Sequence, residues 1–462
     1  MAKNRKDALW NFFDNLAGDK VVWMIVLMLI LSSAVCIFSS TALMTSEKLS
    51  RTDIIIDQLN VIGLGLVFIL FFYFVIRDVK WYKRLASLCF LLSLAALIFL
   101  QAHMKIGELI KADTINGAWR VIKVGGIQVH IFEFIKVAMI LYLAWAVDTY
   151  EKKGFTLMDK LSEIPHLKWL AKPATKRVTF IYLPALLITV LIAKGSGSSA
   201  LFMLAVMTAT IFISGLWYGK MKKLIFYAVC IAAVGAVLVF VGGPFIASHF
   251  ERAETWASRL KGTDDYVEQF MDSEKGSSEY YNSLDKFRQQ YSAKIAVHEG
   301  GLIGKGPGQS TQRYVVPVMY EDYMYSFILE EYGLLGGIVV IILYMSLLAR
   351  GSVIVRNCND RFAQIVVAGL VLLITGQAML HIMVNVGLMP LTGQTLPMIS
   401  HGATSFVAFS IAFGIMLSIS RIARKSIEKE TSSAEPIINS KPEVESSLDD
   451  LDAAEDDIIE NI

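Results

Sequence analysis

Charge is scarce in this chain: only 18% of its 462 residues are Asp, Glu, Lys or Arg, against about a quarter in soluble domains. Cysteine is scarcer still. Cys36, Cys89, Cys230 and Cys358 are the full set, and no two stand in C-x-x-C spacing. That excludes a disulfide framework or a cysteine metal site and predicts reduced, structural thiols. No basic face interleaved with aromatics occurs, so nucleic acid is not the partner. No P-loop spacing and no G-x-G-x-x-G after a strand occurs, so no nucleotide site is supported. No long internal repeat is visible. The first apolar run lacks a small-residue cleavage site, which makes it a retained span and not a cleaved signal peptide.

Apolar residues fill the space, at 55% of the chain with mean hydropathy +0.53. The natural unit of such a chain is the spanning helix, about 20 residues long. Ten apolar segments can be marked, near 21–43, 56–76, 84–103, 130–148, 178–194, 198–216, 222–246, 323–349, 362–388 and 401–421. The expected fold is therefore an all-α polytopic membrane protein of about ten transmembrane helices. A cytoplasmic segment (1–20) precedes the membrane domain (21–425). A large extracytoplasmic loop (244–322) separates spans seven and eight. The tail (426–462) is acidic and poor in aromatics, which predicts disorder.

Basic residues orient the chain. With the N-terminus inside, Arg77, Lys80, Lys83 and Arg84, then Lys152 to Arg177, Lys220 to Lys223, Arg350 to Arg361 and Arg421 to Lys425 all fall inside, and both termini are cytoplasmic. Lys105, Lys111, Arg120 and Lys123 fall outside against this trend. They do not assist insertion and need another reason.

Four constellations carry chemical interest. Gly300-Gly-Leu-Ile-Gly304-Lys-Gly306-Pro-Gly308-Gln-Ser310 is either a tight outer turn or a nest of backbone N–H groups for an anion. Glu133 and Lys136 share a face of the fourth span, as a self-neutralising pair or as the lining of a polar cavity. Pro317-Val-Met-Tyr-Glu321-Asp322 ends the long loop, and Glu330-Glu331-Tyr-Gly333 follows within the eighth span. Carboxylates at a bilayer are expensive to desolvate and suspected of function. Asp322 reads locally either as an N-cap or as a catalyst. Last, His381 to Ser405 contains Asn385, Pro390, Thr392, Gly393, Pro397, Ser400 and Gly402, which suggests a broken helix facing a cavity. His381 and His401 lack a ligand spacing.

In this order the motifs resemble the SEDS family, the FtsW/RodA/SpoVE group of polytopic peptidoglycan glycosyltransferases. The resemblance runs from about 60 to 425. It rests on Gly304-Lys-Gly-Pro-Gly-Gln-Ser310 with Gln312-Arg313, on Pro317 to Asp322, on Glu330-Glu331-Tyr-Gly333-Leu-Leu-Gly336, on Asn385-Val-Gly-Leu-Met-Pro-Leu-Thr-Gly393 and on Leu396-Pro-Met-Ile-Ser-His-Gly402. The chain departs from the family pattern in His130-Ile-Phe-Glu133, in Gly195-Ser-Gly-Ser-Ser199 and in Ser400-His-Gly-Ala-Thr-Ser405.

The resemblance implies polymerisation of lipid II, the undecaprenyl-pyrophosphate disaccharide pentapeptide, at the outer face of the bacterial cytoplasmic membrane. It implies Asp322 as the general base. Substrate contacts would come from Arg120, Lys123, Glu133, Lys136, Lys294, Ser310, Gln312, Arg313, Glu330, Asn385, Thr392 and Ser400. No cofactor is implied beyond a divalent cation, Mg²⁺ or Mn²⁺, at the pyrophosphate. The expected partners are a single-span penicillin-binding transpeptidase and divisome membrane proteins. The Gly-Pro-Gly motif and polar tails favour the division branch, at the septum, over the elongation branch. The alternatives are a lipid II flippase and a scaffold that activates its transpeptidase without chemistry of its own.

Overall fold

The computed structural model describes residues 18–40, 51–107, 109–115, 118–152, 154–216, 271, 275, 277–316 and 319–434. The seventh apolar segment, the first part of the large loop, Cys230, Pro317 and the tail beyond 434 lie outside the described residues.

The chain is mostly helical. Among the described residues seven helices are long and apolar enough to cross a membrane. They lie in α1 (Lys20–Ser40), α2 (Arg51–Val75), α3 (Val79–Gln101), a fifth element (Pro173–Gly195), α9 (Met324–Asn357), α10 (Arg361–Asn385) and α11 (Ala403–Ala434). Between them come α4 (Ile131–Glu151), which fills the fourth apolar segment, and the shorter α6 (Gly197–Ile213). We label Pro173–Gly195 α5. Only Ser196 separates it from α6. A Cβ on Gly195 would lie 2.6 Å from the Phe132 ring and 2.7 Å from the Trp119 carbonyl, so glycine lets this junction approach its neighbours.

α10 and α11 are the most buried spans, and their buried polar residues, Gln377, His381 and Asn385 among them, are hydrogen-bonded within the protein. Phe362, Leu370, Ile374, Phe406, Phe409 and Phe413 form much of the core. At one end ionic contacts pin helix termini together. Arg350 reaches Asp19, and Lys83 reaches both Asp148 (3.2 Å) and Asp360 (2.7 Å).

The chain is not all-α. The segment between α3 and α4 is a four-stranded antiparallel sheet, β1 (Lys105–Ile106), β2 (Ile110–Ile115), β3 (Ala118–Val124) and β4 (Ile127–His130), paired in chain order. Val124-Gly125-Gly126-Ile127 was its signal, a Gly-Gly turn between β-branched residues. The long loop is not all irregular either, for α7 (Ser278–Gly300) occupies its end, followed by the single turn α8 (Met319–Asp322).

The central feature is a break in α9. Gly333 takes φ 66°, ψ −169° inside the helix. A break there strands the carbonyls of Glu330 and Glu331 and the N–H groups of Leu334 and Leu335, which an unbroken helix would pair i to i−4. Backbone groups at membrane depth need partners inside the protein. The Gly-rich loop supplies them. Lys305 N–H donates to Glu330 O (2.9 Å), and Gly306 N–H to Glu331 O (2.9 Å). Leu334 N–H donates to Gly301 O (2.9 Å), and Leu335 N–H to Leu302 O (3.2 Å). The loop is thus spliced into the helix, replacing both lost bonds.

Glycine is required at the contact itself. A Cβ on Gly304 would stand 2.3 Å from the Glu331 carbonyl oxygen, and one on Gly333 would stand 2.4 Å from Gly304 N. Gly308, at φ +76°, has nothing within 4 Å of that position. Gly304→Ala and Gly333→Ala should each lose at least about 4 kcal/mol, the range reached only when a core contact is broken. Gly308→Ala should lose about 1–2 kcal/mol, the left-handed strain alone. Thermal unfolding in detergent measures the difference, and equal losses would refute the splice as the reason for these glycines.

Candidate active site

The loop after the splice folds over two buried carboxylates. Glu330 accepts from Thr311 N–H (2.9 Å), Gln312 N–H (3.2 Å), Thr311 Oγ1 (3.0 Å), Ser310 Oγ (2.5 Å) and Lys305 Nζ (2.7 Å). Lys305 also pairs with Glu299. Glu331 accepts from Gly308 N–H (3.0 Å), Ser310 N–H (3.4 Å) and Ser39 Oγ (2.7 Å). Arg313 Nη1 donates to Ser39 O at 2.8 Å and lies 4.0 Å from Glu331. The Gly-rich loop is therefore an anion nest whose anions are the protein's own. Glu330, Ser310 and Gln312 hold one another, and Arg313 closes the end of α1 over Glu331. This differs from the substrate contacts expected of Glu330, because protein donors already occupy its acceptor positions.

Ion pairing keeps Lys305 charged. Burial by itself would lower its pKa, but Glu299 and Glu330 together raise it. The cation therefore stays in place across the neutral range.

The second acidic pair, Glu321 and Asp322, ends α8 just before α9 and is half-buried. Asp322 is not the helix cap. Tyr323 occupies that position without a side-chain cap bond. Ser326, in the first turn, instead donates its N–H to Asn385 Oδ1 at 2.9 Å. The same Asn385 donates from Nδ2 to Asp322 O (3.1 Å) and to His381 O (2.9 Å). On the other side Ser400 Oγ donates to Glu321 O at 2.8 Å, and His401 N–H donates to Tyr320 O at 2.9 Å. Three successive carbonyls are thus held, one by the end of α10 and two by the α10–α11 connection. That leaves the Asp322 carboxylate beside Gly393, where a Cβ would come within 3.8 Å of Asp322 Oδ2.

Burial, reinforced by Asp322, pushes the Glu321 carboxyl up to about 7. Burial also pushes the Tyr320 hydroxyl up to about 12, with the two carboxylates adding to it. A carboxyl that titrates near neutrality is matched to proton transfer.

The fourth-span pair is real and deep. Lys136 is 1% exposed and lies 2.8 Å from Glu133. Its ammonium also donates to Gln377 Oε1 (2.7 Å) and Gln394 Oε1 (3.0 Å). Three acceptors match the three protons of a lysine. Gln394 Nε2 donates to Ser199 Oγ, and Ser198 Oγ donates to Thr392 O, both near 3 Å (2.9 and 2.8 Å). Lys136 thus holds the 392–395 strip that carries Gly393 to Asp322.

The outer cations separate. Lys123 is paired with Asp113 on the adjacent strand. That partner holds the Asp113 carboxyl below the usual range, helped by the Thr114 N–H. Arg120 Nε donates to Gly195 O at 3.0 Å, at the α5–α6 junction. Lys294, exposed on α7, lies against Gly387 at the end of α10. Asp322, Asn385, Thr392 and Ser400 converge; Ser310, Gln312, Arg313 and Glu330 form the separate splice cluster. Gln377, Gln394, Ser326 and Ser39 escaped sequence reasoning, because a single buried amide or hydroxyl in an apolar run has no periodic signal.

A model of the FtsW/RodA/SpoVE family of cell cycle proteins matches residues 19–425. Stage V sporulation protein E of Bacillus subtilis is 26% identical over 412 residues, covering 88% of this chain and 98% of the relative. The probable peptidoglycan glycosyltransferase FtsW of Hahella chejuensis is 31% identical over 345 residues, 73% of this chain and 74% of that protein. Among solved structures, a chain of a peptidoglycan synthase complex superposes with TM-score 0.60 at 20% identity, over 88% of this chain and 99% of that one. The rod shape determining protein RodA of Thermus thermophilus superposes with TM-score 0.54 at 19% identity, over 88% and 98%. At these identities the superpositions speak for the fold.

Lys136→Met would leave Glu133 buried without its cation, and should cost about 3–5 kcal/mol. Adding Glu133→Gln should recover most of that loss. Thermal unfolding of the single and double variants reads the coupling, and additive losses would show that the pair does not act as a unit.

Proposed function

The chain belongs to the FtsW/RodA/SpoVE family, and from that premise we propose that it is a peptidoglycan glycosyltransferase that polymerises lipid II with Asp322 as the general base. The observation that carries this is the Glu321–Asp322 pair, whose backbone is held by Asn385 and Ser400 while its carboxylates stay only half-buried. A fixed carboxylate at the membrane's outer edge suits a reaction between a membrane-bound donor and a growing glycan. Asp322 takes the proton of the acceptor's sugar hydroxyl. The oxygen forms a bond to the donor's anomeric carbon, and that carbon's bond to the lipid pyrophosphate breaks. When Glu321 is ionised, its negative charge beside Asp322 raises the proton affinity of Asp322 and so strengthens it as a base.

Arg120 and Lys294 are the cations we assign to the pyrophosphate, since Arg120 sits at the junction bonded to Thr392 and Lys294 sits at the end of α10. Lys123, Lys136 and Arg313 act within the protein. Among the described residues no three His, Cys, Asp or Glu side chains converge on one point. A divalent cation at the leaving group would supply charge neutralisation there, with the Glu321 carboxylate as the acidic side chain offered to it and Asp322 left to take the proton. Ten spans, cytoplasmic termini and a septal division role complete the proposal, with a single-span penicillin-binding transpeptidase as partner; the synthase-complex neighbour supports the last. A flippase would need its buried charges to change partners, which the three acceptors around Lys136 oppose.

Purified Asp322→Asn, supplied with lipid II, should polymerise about 10²–10⁴-fold more slowly, the usual contribution of a general base; undiminished glycan synthesis would remove Asp322 from the role. Asn385→Asp should slow the same reaction by displacing Asp322, read as shorter or fainter glycan products on a gel. Glu321→Gln removes a neighbouring negative charge, so the acid limb of the rate profile should move to lower pH.

The sign of the stability effect also follows. The folded-state carboxyl at about 7 lies above its ordinary 4.5, so between these values the folded protein holds a proton that the unfolded chain has released. The stability from Glu321 is thus present below about 4.5 and falls as pH rises through about 7. Glu321→Gln should flatten that slope in thermal unfolding measured across this window.

A further inference from the structure

The four-stranded sheet has two ends of different character. At its root β3 packs against α3 and α5, and Trp119 stacks on His103 with ring centroids 3.9 Å apart. The far end is exposed on both faces except at Ile110, which is partly buried against the core. Register places Ile106 opposite Ile110, Ile110 opposite Val124, and Val124 opposite Ile127. Residues opposite one another point to the same face, so these four form a continuous apolar row. Ile106 is 59% exposed, Val124 39% and Ile127 72%, with Leu109 at 64% in the turn beside them. The adjacent register row, Lys105, Lys111, Lys123 and Gln128, points to the opposite face, because strand side chains alternate.

The connections to the spans restrict where this amphipathic sheet can go. β4 ends at His130 and α4 begins at Ile131, with no residue between them. On the other side only residues 102–104 separate α3 from β1. Ile98, in the last turn of α3, is an exposed apolar residue on a spanning helix, and so faces lipid. The sheet is therefore tied to the bilayer surface from both ends. A Trp at its root is the residue type found at headgroup depth.

We propose that the free end of the sheet lies in the outer leaflet of the membrane, with the Ile106–Ile110–Val124–Ile127 row against the acyl chains and the lysine row toward the lipid phosphates. Apolar area on one face and cations with long stems on the other are the features that bind an element to an anionic interface. This gives a reason for Lys105 and Lys111 lying outside: they match lipid phosphate, and they need not serve insertion or catalysis. It also places a lipid-seated element directly next to Arg120, through which the membrane would steady the α5–α6 junction.

The test uses the full chain with Cys36, Cys89, Cys230 and Cys358 replaced by alanine, reconstituted in vesicles of phosphatidylethanolamine and phosphatidylglycerol. Nitroxide is attached in turn through Ile106→Cys, Ile127→Cys, Lys111→Cys and Gln128→Cys. Each labelled protein must still elute as the parent does and keep its glycan polymerisation, so loss of fold is seen separately. Collisional broadening by a water-soluble nickel chelate should be lost at positions 106 and 127 and kept at 111 and 128, with oxygen showing the reverse order. Nickel access at all four positions would overturn the proposal and leave the apolar row facing water, available to a protein partner. Shielding from nickel at all four positions would overturn it too, since both faces would then be covered. Replacing phosphatidylglycerol by phosphatidylcholine should restore part of the nickel broadening at 127; no change would remove the lysine–phosphate half of the proposal.

Discussion

Hydrogen-bonding of the backbone at the break in α9 is the constraint on which the rest of this end of the molecule depends. A helix interrupted at membrane depth strands peptide groups that water cannot reach. Here two N–H groups and two carbonyls of the loop before Gly306 replace the two bonds lost at Gly333. An unsatisfied buried peptide group costs about 1–3 kcal/mol, so the loop and the break have to form together. The three glycines at 300, 304 and 333 permit the approach, since a Cβ on any of them would overlap backbone. Glu330 and Glu331 then bind the next turn of the same loop, so one local irregularity organises residues 300–313.

The base we propose sits one element away, and the separation has a physical meaning. Glu330 and Glu331 each accept several donors from the loop, which commits them to holding it. Glu321 and Asp322 are instead held through their main-chain carbonyls, by Asn385 and Ser400. Anchoring through the backbone fixes both residues in space. Burial can then act on the carboxyl group, and it moves Glu321 toward neutrality. Four carboxylates within eleven residues of sequence therefore divide into two that hold the Gly-rich loop and two whose main chain is held from elsewhere.

Much of this was legible before any fold was known. The spans read clearly because about 20 apolar residues in a row have few other uses: nine of the ten marked segments fall on described helices, seven of them long and apolar enough to cross a membrane, and the segment near 222–246 lies outside the described residues. The ordered motifs resembled a known family, and the family match bears that out. The sheet was missed because hydropathy windows average over alternating residues such as Lys111, Ala112 and Asp113. Asp322 as a cap was a fair local reading that failed, because the first turn of α9 takes its acceptor from Asn385, 59 positions away. Arg313 and Lys123 read as outer cations, and nothing local revealed that Glu331 and Asp113 stand beside them.

Residue order and hydropathy alone thus establish a helical membrane protein, the family it belongs to and the stretch in which its acids lie. They do so because spanning length and motif order are properties of the chain itself. Which carboxylates hold the Gly-rich loop, and where Glu321 and Asp322 are placed, depends on donors that arrive from α1, α10, the Gly-rich loop and the α10–α11 connection. Those partners are separated by up to several hundred residues, as Ser39 and Glu331 are by 292, and only folding brings them within hydrogen-bonding distance.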